Sequence, residues 1–184
     1  YDRYTDLLDK QLYSSIAGID YNNKLEIKIG ILGVIDESRR DYWSIINALR
    51  QLSAEKCSNI IFVTLGACYE GKNNAVIKAL SEYAQVDCIK GIISDNDFDT
   101  RGISCDLLIS PLKPKNEYGT FKGSGSLGDA VYLRKKIIIP SFVDIDKEFE
   151  EIAIYYDSLN DLLKIFNSLD KIVKTKPRQN FFEK

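Results

Sequence analysis

The residues best suited to chemistry lie in one glycine- and serine-rich run, Lys122-Gly123-Ser124-Gly125-Ser126, with Asp129 shortly after it. Gly119 and Gly128 extend the glycine content on either side, and Leu127, Ala130, Val131 and Leu133 then follow at helical spacing. Small side chains leave backbone N–H groups uncovered where a helix begins. Those amides and the positive end of the helix dipole favour a bound anion, such as phosphate. Lys122 supplies a full charge beside them. Asp129 falls in the helix's first turn, where it either satisfies the helix start or accepts hydrogen bonds from ribose or sugar hydroxyls. The run is not a Walker A sequence. Gly123, Gly125 and Gly128 do have the G-x-G-x-x-G spacing, but late in the chain and not in the first strand–helix turn, where the dinucleotide fingerprint belongs.

A second set of candidates precedes the first helix. Arg39 and Arg40 offer guanidinium groups whose planar fork matches phosphate oxygens; the plainer alternative is two solvated arginines partly neutralised by Asp36, Glu37 and Asp41. Gly33, Glu117 and Tyr118 are positioned to touch a sugar or base, or else only shape their loops. Asp95 and Asp97 resemble a metal-binding carboxylate pair, but no further hard ligands converge by spacing, so a polar loop is expected there and no metal.

Composition limits the rest. The 184 residues include no histidine, which excludes a histidine base or a histidine-dependent triad within these residues. Cys57, Cys68, Cys88 and Cys105 show no C-x-x-C spacing and sit beside apolar strand residues. Four buried free thiols are expected, with disulfides in an exported domain as the alternative. A net charge of −2, from 25 basic and 27 acidic side chains, gives no general field for nucleic acid, and no nucleic-acid partner is expected. No apolar stretch approaches a bilayer span and no signal-peptide pattern is visible. With Tyr1 at its start and no methionine, the chain is expected to be a piece of a longer protein.

The elements that must position these residues alternate regularly. Strands are expected over residues 24–35, 59–65, 86–94, 106–110, 136–139 and 152–156, the first alternating at its start and continuously apolar by Ile29, as in strands covered on both faces. Helices are expected over 42–52, with Asp41 as cap and Trp43, Ile46, Ala48 and Leu49 packing, over 74–83, from Ser126 onward, and over 159–172 behind Ser158. Residues 95–101 read as a polar loop and 144–150 as an acidic turn or short helix. The alternation is that of an α/β, Rossmann-like three-layer αβα sandwich on a parallel sheet of five to six strands. Ligands of such sheets bind beyond the strands' carboxyl ends. Residues 33–40, 66–72 and 111–126 all fall on that edge. Residues 1–23 read as a linker or docking arm, 24–172 as the domain, and 173–184 as a basic tail.

Four pieces of this pattern resemble the C-terminal, nucleotide-sugar-binding domain of retaining glycosyltransferases of the two-Rossmann-domain GT-B architecture. They are GVIDESRRDY at 33–42, IIFVTLG ending at Gly66, DLLISPL at 106–112, and SGSLGDAVYLRKKIIIP at 124–140. The resemblance implies that Arg39 or Arg40 binds the donor diphosphate, that Gly123, Ser124, Gly125 and Ser126 hold phosphate and sugar, and that Asp129 takes the ribose-binding place of the family's glutamate. Where the family often has a second acidic residue, eight positions earlier, this chain has Phe121. The implied activity is transfer of a sugar from a nucleoside-diphosphate (UDP-, GDP- or ADP-) donor to an acceptor hydroxyl, with no metal or other cofactor, in building a polysaccharide or similar product. The implied partner is an N-terminal acceptor-binding domain of the same protein, without which this piece transfers nothing. The implied location is the cytoplasm, including peripheral association of the full-length protein with the inner face of the membrane. Two other readings stay open: a non-catalytic Rossmann- or flavodoxin-like interaction module, and a fragment of a two-domain nucleotide-sugar epimerase.

Overall fold

A computed structural model of the chain describes residues 26–69, 73–114 and 124–175. The six expected strands form one sheet: β1 Ile27–Leu32, β2 Ile60–Leu65, β3 Gln85–Asp87, β4 Leu107–Ile109, β5 Ile137–Pro140 and β6 Ala153–Tyr156. Their spatial order is β3-β2-β1-β4-β5-β6, and every neighbouring pair is parallel. The helices are α1 Tyr42–Leu49, α2 Ala54–Ser58, α3 Asn73–Ser81, α4 Asp95–Ser104, α5 Gly125–Tyr132, α6 Leu159–Asn167 and α7 Leu169–Lys174. This is the doubly wound, Rossmann-like order, in which the sheet reverses direction between β1 and β4.

Parallel strands covered on both sides favour apolar side chains at every position, and β2, buried at all six residues, meets that demand except at Thr64. Alternate residues feed two cores. Ile29, Ile31, Phe62, Ile109 and Ile138 pack with Ile45, Ile46 and Leu49 of α1, Val76 and Leu80 of α3, and Leu162 and Phe166 of α6. Ile61, Val63, Leu108, Ile137 and Ile139 pack on the other face with Leu127 and Ala130 of α5 and with Leu133 beyond it. The period-two alternation thus sorts each strand between two helical layers.

Several local expectations need correction. Residues 95–101 are not loop: they belong to α4, which begins behind Ser94, whose hydroxyl accepts from the Asp97 N–H at 3.1 Å and donates to its carboxylate at 2.7 Å. Asp95 and Asp97 are therefore first-turn residues of a capped helix. Trp43 does not pack; it is 39% exposed and its indole N–H donates to Glu37 Oε2 at 3.2 Å, while Tyr42, Ile45, Ile46, Ala48 and Leu49 form the buried side. The helix from Tyr42 stops at Leu49, and α2 follows behind the Ser53 cap. β3 is three residues long instead of nine, because the chain turns at Gly91 (φ +86°) and bridges back to Cys68 in antiparallel fashion. The last expected helix is divided at Ser168 into α6 and α7. All four cysteines are free; Cys88 is half-buried and the other three are buried.

The arm proposed at 1–23 lies outside the described residues. So does the tail from 176 onward, although α7 runs to Lys174. Among the described residues no helix is long and apolar enough to cross a membrane.

Candidate functional site

The carboxyl ends of β1 and β4 lie side by side where the strand order reverses, and the loops leaving them build the site. β1 ends at Leu32, and Gly33 follows with φ +74°, a backbone region that suits glycine. A Cβ on Gly33 would stand 2.2 Å from Arg40 Nη2, and one on Gly66 would stand 2.1 Å from the Gly33 carbonyl carbon. Two glycines therefore let the ends of β1 and β2 touch and let the Arg40 guanidinium sit directly against the first of them. Ile35 N donating to Ala67 O at 2.9 Å carries the pairing one step past the strands.

The loop then closes on itself. Asp36 O accepts from the N–H groups of Arg39 at 3.2 Å and Arg40 at 3.0 Å, and Asp36 Oδ1 accepts from Ser38 N at 2.9 Å. The bonds from Ser38, assisted by the charges of Arg39 and Arg40, hold the Asp36 carboxyl below its usual range. Beneath the loop, fully buried Tyr42 accepts from Asp36 N at 3.3 Å and donates to Val34 O at 3.4 Å. Burial pushes that phenol up to about 12, so it serves as a neutral strut.

Arg40 is the unusual member of this loop. It is only 8% exposed, Nη1 donates to Val34 O at 2.9 Å, and Nε has no partner. Among the described residues it forms no ion pair. A guanidinium carries five N–H donors and stays charged, so a buried one with so few bonds among the described residues keeps unused donor capacity. Arg39, by contrast, is exposed. The two arginines are thus separated by environment, although sequence left them equivalent.

The other half of the site starts at β4. Ser110 is fully buried, its N–H donates to Ile138 O at 3.0 Å, and its Oγ lies 2.8 Å from the buried Oγ of Ser126 in α5. Ser124 caps α5, its hydroxyl accepting from Ser126 N at 3.3 Å. Gly125 and Gly128, three apart and so on one face of the helix, have nothing within 4 Å of where a Cβ would stand. Asp129 adjoins that open face, but as the fifth residue of a helix that starts at Gly125 it lies beyond the first turn expected for it. It is half-buried, its carboxylate has no bond among the described residues, and loss of water raises its pKa above the ordinary carboxylate value.

Residues 110–113 join the two halves. Arg40 makes an antiparallel bridge to Leu112, Asp41 N donates to Pro111 O at 2.7 Å, and Lys113 N donates to Arg39 O at 2.9 Å. Lys113 Nζ adds a bond to Glu37 O at 2.7 Å. The structure thus connects Gly33 and Arg40 on one side to Ser124, Gly125, Ser126 and Asp129 on the other. Glu117, Tyr118, Lys122 and Gly123 lie outside the described residues. Ser110 escaped sequence reasoning because DLLIS reads simply as a strand. The signal was a hydroxyl closing an apolar run just before Pro111.

Chemically the assembly offers a permanent cation, hydroxyls, open helix-start backbone and one carboxylate. That set can hold an oxyanion and a nearby diol. It contains no paired nucleophile and base.

No family model and no curated protein sequence matches the chain. Solved structures do. The apo structure of OtsA aligns with a TM-score of 0.55 at 11% identity, over 88% of this chain and 39% of that one. An alpha,alpha-trehalose-phosphate synthase (UDP-forming) from Burkholderia vietnamiensis aligns with a TM-score of 0.54 at 11% identity, over 89% of this chain and 41% of the other. The chain thus spans about two fifths of the length of these proteins. At such identity the likeness is one of fold alone, the parallel, doubly wound sheet between helical layers described above.

Proposed function

We propose that this chain is the donor-binding domain of a glycosyltransferase, holding a nucleoside-diphosphate sugar across the carboxyl ends of β1 and β4. The observation that carries the reading is Arg40, buried beside the sheet's reversal point with its Nε unpartnered and no ion pair among the described residues. In the proposal Arg40, with Arg39 and Lys122, neutralises the diphosphate, and the helix start at Gly123, Ser124, Gly125 and Ser126 hydrogen-bonds its oxygens. Asp129 accepts from the ribose hydroxyls. Gly33, Glu117 and Tyr118 lie toward the sugar or base. That one protein sharing the fold is a UDP-forming synthase supports a nucleoside diphosphate as the leaving group.

In the transfer step the glycosidic bond to the diphosphate breaks, the acceptor hydroxyl oxygen forms the new bond, and its proton passes to the departing diphosphate. Negative charge grows on the departing diphosphate. Fixed cations and helix amides already aimed at those oxygens lower the barrier without reorganising. The acceptor is bound by another domain, and this chain alone binds donor without turnover. In the proposal the full-length protein works in the cytoplasm, including peripheral association with the membrane's inner face.

Calorimetric titration of uridine, guanosine and adenosine diphosphates and their sugars tests this, with Lys122→Ala and Asp129→Ala alongside the parent. Diphosphate affinity that falls with the lysine change is expected. The aspartate change should weaken ribose-bearing ligands and leave inorganic pyrophosphate nearly untouched. Absence of binding by the parent would favour an interaction module instead.

A further inference from the structure

We propose that Ser110 is a positioning residue for the anion site, donating its hydroxyl proton to Ser126 Oγ and thereby aiming the Ser126 O–H at a bound diphosphate oxygen. The inference deepens the donor-domain reading and rests on it. It starts from the 2.8 Å Oγ–Oγ contact, in which either atom could donate.

Proton accounting settles the direction. Each hydroxyl has one O–H to give and two lone pairs to receive, so the pair holds two protons and uses one between its members. Ser110 is wholly excluded from solvent, and its side chain has no other partner among the described residues. Were Ser126 the donor, the Ser110 proton would be buried without an acceptor, which costs more than a single hydrogen bond gains. With Ser110 as donor, the remaining proton belongs to Ser126. That residue is second in α5, is 7% exposed, and follows Gly125, whose surroundings are open. The proton left over therefore sits at the end of the pair nearer the open helix start.

The same segment connects this pair to the cation. Ser110 is followed by Pro111, whose carbonyl accepts from Asp41 N, and by Leu112, bridged to Arg40. Arg40, on the other side of this segment from α5, has an unpartnered Nε. A charged donor and a hydroxyl donor are thus mounted on one short stretch of chain. Ser110 fixes the second relative to the first.

The test is pyrophosphate titration into the full 184-residue chain, its Ser110→Ala and Ser126→Ala variants, and the double variant, each with a thermal melt. Each single change should weaken pyrophosphate about three- to tenfold. The double variant should bind no more weakly than Ser126→Ala, because Ser110 acts through Ser126. Ser110→Thr keeps the donor and should bind within about twofold of the parent. Should its extra methyl prevent folding, the double-variant cycle decides alone. Parent-like binding by Ser110→Ala, or two losses that add, overturns the role of Ser110 and leaves the anion site standing. A parent chain that does not bind pyrophosphate removes the donor-domain reading itself, and that result is seen before any variant is measured.

Discussion

Asp129 is half-buried, its carboxylate has no partner among the described residues, and burial raises its pKa in the folded chain. A raised folded pKa means that the group's contribution to stability is complete below its unfolded value and is lost as pH rises through the folded one. At pH 7 the ionised side chain is therefore a net cost. Asp129→Asn should stabilise the chain at pH 7 by about a few tenths of a kcal/mol, a small figure because solvent still screens the group. The gain should vanish at pH 3, where the parent's carboxyl is protonated in both states. Paired melts at the two pH values check this, and a loss of stability at pH 7 would contradict it. A carboxylate kept at a cost is what a ligand contact requires. Among single residues the sequence was only partly legible. Ser124 as a cap, and Gly125 with Gly128 as an open face, follow from residue type and helical period. The division of labour between Arg39 and Arg40 does not, because it depends on Gly33 turning the chain and on the bridge from Arg40 to Leu112, distant in sequence.

The elements were legible where apolar burial made them and obscure where polar contacts did. β2 declares itself by six consecutive buried residues. α4 does not, because it is held by Ser94 at its start, by the close approach of Gly102 to Leu133, and by Arg101. Arg101 donates to Thr64 O at 3.1 Å and to Asp87 O at 2.7 Å and pairs with the Asp87 carboxylate at 3.1 Å, tying the helix to the ends of β2 and β3. None of these contacts leaves an amphipathic stripe to find. The glycine contact between β1 and β2 belongs to the same scale. Gly66→Ala places a methyl 2.1 Å from backbone, which cannot rotate aside as a flexible side chain could. The two strand ends must separate, at about 1–3 kcal/mol, and Arg40 must move with them. Denaturant unfolding should show that loss together with weakened pyrophosphate binding; an unchanged midpoint would mean the strand ends yield without cost.

At the scale of the whole molecule, two linkages expose the buried groups. Burial pushes Cys105 up to about 12, Cys68 up to about 11 and Tyr42 up to about 12, against ordinary values of 9.0, 9.0 and 10.0. Because these folded values are raised, their stabilisation is intact below pH 9 and drains away between about pH 9 and 12 as the unfolded chain ionises first. The melting temperature should fall steeply across that window, and native-state alkylation at pH 8 should leave Cys105 unmodified. The opposite linkage concerns Arg40. A buried guanidinium with an unpartnered Nε and no ion pair among the described residues burdens the anion-free fold, and an anion that binds only the folded chain relieves it. Pyrophosphate at a hundred times its dissociation constant should add about 2.7 kcal/mol, which for 184 residues corresponds to a rise of roughly 5–10 °C. Arg40→Gln keeps much of the shape and removes the charge. It should leave the anion-free melting temperature unchanged or higher while cutting the pyrophosphate-induced rise by more than half. If instead the glutamine variant melts lower and the rise persists, Arg40 is a structural strut for the Val34 carbonyl and the anion is held elsewhere. The sign of the two shifts taken together, one measured without ligand and one with it, separates a cation waiting for its partner from one that already has all it needs.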